Sequence, residues 1–164
     1  MTTKYETPQS ELVDELSGSG ELASRWARLG ASLIDTVIML ILASPIMVLT
    51  GTFSAENLES GGNYIASLML GLVFIGIFFL INYRFLTRDG QTIGKKALSI
   101  RIVDLDGQIP DFKSNLIPRY AVYMLPGQIP LIGQLFSFIN VCFIFRADKR
   151  CIHDLAGKTR VVKC

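Results

Sequence analysis

The stretch Ala23–Thr50, ASRWARLGASLIDTVIMLILASPIMVLT, decides how the rest of the chain is read. From Leu29 to Leu49 it is apolar over about 21 residues, which as a helix cover roughly 30 Å, the thickness of a bilayer's hydrocarbon core. Arg25 and Arg28 open the run, and one carboxylate, Asp35, sits well inside it. A charge at the centre of a span costs about 2.5–3.5 kcal/mol on insertion scales, so it faces a protein interior or a water-filled cavity. Arg28 and Asp35 are seven residues apart, almost two helical turns. Both therefore share one stripe, with Ser32 between them.

Working outward, half of the 164 residues are hydrophobic and the mean hydropathy is +0.42. The excess lies in long uncharged runs, which favours a membrane protein of one domain over a large soluble core. A net charge of +2 gives no support to nucleic-acid binding. Cys142, Cys151 and Cys164 are too few and too irregularly spaced for a disulfide framework or a zinc cluster, and Cys151 and Cys164, in a basic tail placed in the cytoplasm, read as reduced thiols.

Residues 1–22 read as a mobile polar tail, rich in Glu and Ser, with a short helix around Glu11 to Leu16 and no signal-peptide pattern. The first span, about 29–49, carries Pro45, which should kink its outer end. Thr50 to Asn63 has Glu56 and Glu59 and no Lys or Arg. A second span covers about 64–85, where Ser67 and Gly71 would let a neighbouring helix approach closely. Residues 86–115 turn basic. There Thr92 caps a short helix, and Leu98, Ile100 and Ile102 alternate as in a strand that Val161 and Val162 could partner. Residues 116–126 and 131–145 are two short apolar arms, separated by Pro126-Gly127-Gln128-Ile129-Pro130. They make a helical hairpin that crosses twice or re-enters part-way. The tail, 146–164, is basic again. Lys and Arg on these segments place both termini in the cytoplasm by the positive-inside rule. The fold expected is an all-α membrane protein of about four transmembrane or re-entrant helices, with a small cytoplasmic subdomain containing a β-hairpin.

Counting depth from the cytoplasmic edge brings Asp35, Arg119 and Asn140 to one level, with Asn82 shallower. An ion pair of Asp35 with Arg119, Arg28 competing, neutralises the charges; the plainer reading makes that pair a device of helix register and Arg28 an interfacial anchor. Gly90-x-x-x-Gly94-Lys95 is one residue short of a phosphate loop. His153 is the sole histidine, so a multi-histidine metal site is excluded, and nothing marks a nucleophile elbow. An enzyme is not expected, and no cofactor is assigned.

Three motifs in order resemble the RDD family of small bacterial membrane proteins, named for one arginine and two aspartates. They are Arg28 with Asp35, the segment Gly90–Lys96 followed by Ile102-Val103-Asp104, and Ile152-His153-Asp154 with Ala156-Gly157. The likeness covers about residues 22–163. It implies that Asp154 is the second aspartate, acting at the cytoplasmic mouth or orienting an arginine there. It also implies transport, with cation/proton antiport reported for some members.

The expected function is a multi-pass inner-membrane transporter exchanging a monovalent cation such as Na+ for protons. Asp35 would bind either one, and Arg119 or Arg28 would favour its charged form. Partners expected are the lipid bilayer, the ions and further copies of the chain, since so few helices make a thin wall. The alternative is a non-transporting adaptor or assembly factor that docks a partner through its cytoplasmic subdomain.

Overall fold

The computed structural model describes residues 20–52, 54 and 63–164. The tail helix expected around Glu11 and the acidic loop with Glu56 and Glu59 lie outside the described residues. Helix α1, Arg25–Leu49, begins where the Ser24 hydroxyl accepts the Ala27 N–H at 3.0 Å, and it runs through Pro45. Helix α2, Tyr64–Asp89, is capped by Asn63, whose side-chain oxygen takes the N–H groups of Ile65 and Ala66. It stops at Gly90, which turns left-handed at φ 65°, a conformation glycine adopts without a Cβ clash.

Both helices are long and apolar enough to cross a membrane. Their surfaces separate them from the core helix of a soluble protein. Only Arg28, Ala31 and Ala43 of α1 and Phe78, Asn82 and Leu86 of α2 are buried. Leu33, Ile41, Val73 and Leu80 instead stand exposed, Leu80 to 82%. Contiguous apolar surface on that scale matches lipid and not water.

After α2 come the short helix α3, Ile93–Ala97, and strand β1, Ile100–Asp104. Thr92 caps α3 by accepting the Lys95 N–H at 3.3 Å, as its sequence predicts. A π-type turn, Phe112–Leu116, leads into helix α4, Ile117–Met124. A 3-10 turn, Pro126–Gln128, separates α4 from helix α5, Ile132–Cys142, which a second 3-10 turn extends through Phe143–Phe145. The chain closes with helix α6, Ile152–Ala156, and strand β2, Thr159–Lys163.

The broken hairpin is present, but each arm is only roughly 20 Å long at helical rise. Its tip packs on α2 at Gly71, where a Cβ would lie 1.8 Å from Gln128 Oε1. Gly71 is about 10 Å along α2 from Tyr64 at helical rise, so the tip stops below the end of that helix. The close approach read into Ser67 and Gly71 is thus used at Gly71 by a side chain of the hairpin tip.

The partner strand expected at Val161 and Val162 is present, Val161 opposite Ile102, but its connection differs from the expectation. β1 and β2 pair antiparallel, Ile100 opposite Lys163 and Asp104 opposite Thr159, but they are not a hairpin. The whole α4–α5 segment lies between them in the chain, so the pairing is long-range. Leu22 bridges Val162 from the other side of β2, and Lys163 N donates to Glu21 O at 2.9 Å. The end of the polar tail is therefore fixed to the sheet. Ile100, Ile102 and Val161 form the core with Ala23, Leu86 and Leu116, which ties the sheet to the polar ends of α1, α2 and α4.

Candidate functional site

The centre of the site is Asp154, fully buried in the first turn of α6. Arg28, from the first turn of α1, donates to Asp154 Oδ2, and Arg119, from α4, donates to Oδ1. Arg28 and Arg119 are 7% and 3% exposed, so neither charge is in water. The same groups make further local bonds. Cys151 N donates to Asp154 Oδ2 at 2.9 Å, closing a capping box at the start of α6. Arg119 also donates to Thr159 Oγ1 at 2.6 Å, and Arg28 to the backbone carbonyl of Lys149. One carboxylate thus ties α1, α4, α6 and β2 together. Burial alone would raise the pKa of Asp154, but Arg119 and then Arg28 hold it well below the usual carboxylate range.

This corrects the pairing expected for Asp35. Both arginines go to Asp154, because the docking of α6 between α1 and α4 brings that carboxylate within reach of both. Asp35 binds neutral donors instead. The Thr92 hydroxyl donates to Oδ2 at 2.5 Å and the Gly94 N–H to Oδ1 at 2.7 Å. Asp35 therefore holds the start of α3 against α1. Asn82 does the same from α2, its side-chain oxygen accepting the Ile93 N–H at 3.0 Å. Neither Arg28 nor Ser32 hydrogen-bonds Asp35 along their shared stripe among the described residues.

Of the three residues expected at one depth, Asp35 and Arg119 line one cavity of about 390 Å³, and Asn140 does not. Asp35, Ser32, Thr92, Lys95, Arg119 and His153 line its polar end. Asn140 is buried beside it and fixes His153, accepting its backbone N–H at 3.2 Å and meeting its ring Nδ1 at 2.9 Å. Burial, and then Arg119, push the His153 pKa down to about 3, so the ring is neutral at pH 7. Lys95 is the residue that sequence reasoning passed over. In the sequence it stands only in the short helix that Thr92 caps and in the incomplete phosphate-loop pattern, yet burial and Arg119 bring its pKa down to about 8 at the cavity wall.

Cys151, His153 and Asp154 bring ligand-type atoms within 4.8 Å of one another. They do not suit a metal. Both Asp154 oxygens accept from arginines, His153 Nδ1 is engaged by Asn140, and two guanidinium groups oppose a further cation.

Two long apolar helices, a small two-stranded sheet and a buried arginine–aspartate–arginine cluster define a mostly helical membrane protein. The chain belongs to the RDD family, matching it over residues 22–158. It is similar to two uncharacterized proteins of Bacillus subtilis (strain 168). It is 26% identical to YckC over 143 residues, covering 85% of this chain and 83% of that protein. It is 34% identical to YxaI over 96 residues, covering 57% of this chain and 56% of that protein. The match with YxaI thus spans about half of that relative's length. No solved structure matches the chain.

Proposed function

We propose that the protein is a multi-pass transporter of the bacterial inner membrane, with both termini cytoplasmic and more than one copy in the working assembly. It exchanges a monovalent cation, Na+ being the first to test, for protons. One observation carries this reading. Asp35 is a carboxylate on the wall of a half-open cavity, bonded among the described residues to neutral donors, while both buried arginines are committed to Asp154. A carboxylate in that position can take up a proton or a cation without dismantling the fold. Asp154, clamped by two guanidinium groups, is a structural anion. In everted vesicles with an acid interior, added NaCl should dissipate the pH gradient only when the protein is present. If it does not, the exchange reading fails, and the adaptor reading, tested by capture of a partner on the cytoplasmic sheet, takes its place.

The hairpin of α4 and α5 re-enters from the cytoplasmic side and does not cross. The short arms and the position of Gln128 beside Gly71 support this. A cysteine placed at Gly127 should resist a membrane-impermeant thiol reagent applied from outside the cell. Labelling as fast as that of a cysteine placed at Thr50 would mean a full double crossing.

A further inference from the structure

The cavity is amphipathic along its length. From Asp35, the residues Met39, Ala43 and Met47 continue one stripe of α1 at four-residue spacing, so the groove extends roughly 18 Å beyond the carboxylate at helical rise. Phe74 and Phe78 of α2 and Met124 of α4 face the same space. Methionine side chains adapt to a flexible apolar occupant.

The polar end has spare donors. Lys95 Nζ has one long contact, 3.5 Å to Thr92 Oγ1, and no carboxylate in salt-bridge contact among the described residues. Tyr120 lines the cavity beside Arg119, and its buried hydroxyl makes no hydrogen bond of normal geometry among the described residues. A buried hydroxyl in that state is costly, and a ligand oxygen would recover the cost. Charge points the same way. Around this end stand three cations, Arg28, Arg119 and Lys95, against two anions, Asp35 and Asp154, with His153 neutral at pH 7. The wall is short of one negative charge.

We propose that the cavity binds a single-chain amphiphile with one negative charge, a long-chain carboxylate. Its head accepts from Lys95 and Tyr120, and its chain lies along Met39, Ala43 and Met47. The volume is near the lower end of the ~300–1,000 Å³ typical of ligand sites, which suits one chain and a compact head rather than a two-chain lipid. This site stands apart from the exchange reading, because it uses the spare donors and not the Asp35 carboxylate.

Equilibrium binding of radiolabelled dodecanoate to the full chain in a non-ionic detergent tests it. The expected result is one saturable site per chain, at least tenfold tighter than for dodecanol and undetectable for acetate. Lys95→Gln should weaken dodecanoate binding about tenfold or more and leave dodecanol unchanged, a charge-assisted hydrogen bond being worth roughly 1.5–3 kcal/mol. Ala43→Phe should block both chains without touching the polar end. Melting curves identify any variant that has lost its fold, and Tyr120→Phe then supplies a second test at the head. Equal binding of dodecanol and dodecanoate, or dodecanoate binding unaltered in folded Lys95→Gln or Tyr120→Phe, would overturn the proposal. Exchange absent with dodecanoate bound as described would remove the transport reading alone.

Discussion

Asp154→Asn should destabilise the purified protein by about 3–5 kcal/mol, the cost of leaving a buried ion-pair partner uncompensated. Asparagine keeps the shape of the side chain, so the loss is one of charge. Arg28 and Arg119 would remain buried a few ångströms apart with no anion between them. At roughly 2–4 °C per kcal/mol for a chain of this size, the melting temperature should fall by about 6–20 °C. Removing one arginine as well should relieve part of the loss, so Arg28→Met should cost less in the Asp154→Asn background than in the wild type. The sign of the pH dependence follows from the depressed pKa. The stabilisation is fully present above the unfolded carboxylate's pKa of about 3.9 and is lost only as the pH falls through the lower folded value. The gap between wild type and variant should therefore be constant from pH 6 to 8. A variant melting within 2 °C of wild type would mean that the cluster is not what joins the helices.

Gly94→Val carries the second large effect. A Cβ at Gly94 would lie 2.1 Å from the Ala31 carbonyl oxygen and 2.9 Å from Asp35 Oδ1. The first obstacle is helix backbone, which cannot rotate away as a side chain could. α3 would have to lift off α1, losing the bonds from Thr92 and Gly94 to Asp35. Overpacking of this kind costs about 1–3 kcal/mol or more. Amide hydrogen exchange should speed up across residues 92–97 while the β1–β2 pairing stays protected. Unchanged exchange in that segment would show that α3 does not depend on this contact.

These two residues mark what could be read in advance and what could not. The spans, the cap at Thr92 and the alternation at Ile100 and Ile102 are local patterns, and local patterns survive into the fold. The stripe of Arg28, Ser32 and Asp35 is likewise a consequence of helical period. Which carboxylate receives the arginines is a long-range matter. Arg28 and Asp154 are 126 residues apart, and their meeting depends on where α6 docks, which neither depth nor periodicity encodes. Asp154 enters the sequence reading only through family resemblance, at the cytoplasmic mouth or orienting an unspecified arginine, while Arg28 and Arg119 are expected at Asp35. Lys95 is hidden for the same reason, since a lysine on a short helix in a basic segment looks solvated until α3 is seen to pack on α1. Gly94 offered a signal in its place beside the Thr92 cap, but a close approach has no pattern of its own in one sequence.

The central claim is a division of labour, with Asp154 holding the fold and Asp35 serving the cavity. Cation-driven proton release from proteoliposomes carrying purified Asp35→Asn tests it most directly. The folded variant should melt within a few degrees of wild type, because asparagine Oδ1 can accept the Gly94 N–H while its Nδ2 donates to Thr92 Oγ1, and it should release no protons when Na+ is added. Exchange at the wild-type rate by the folded variant would contradict it.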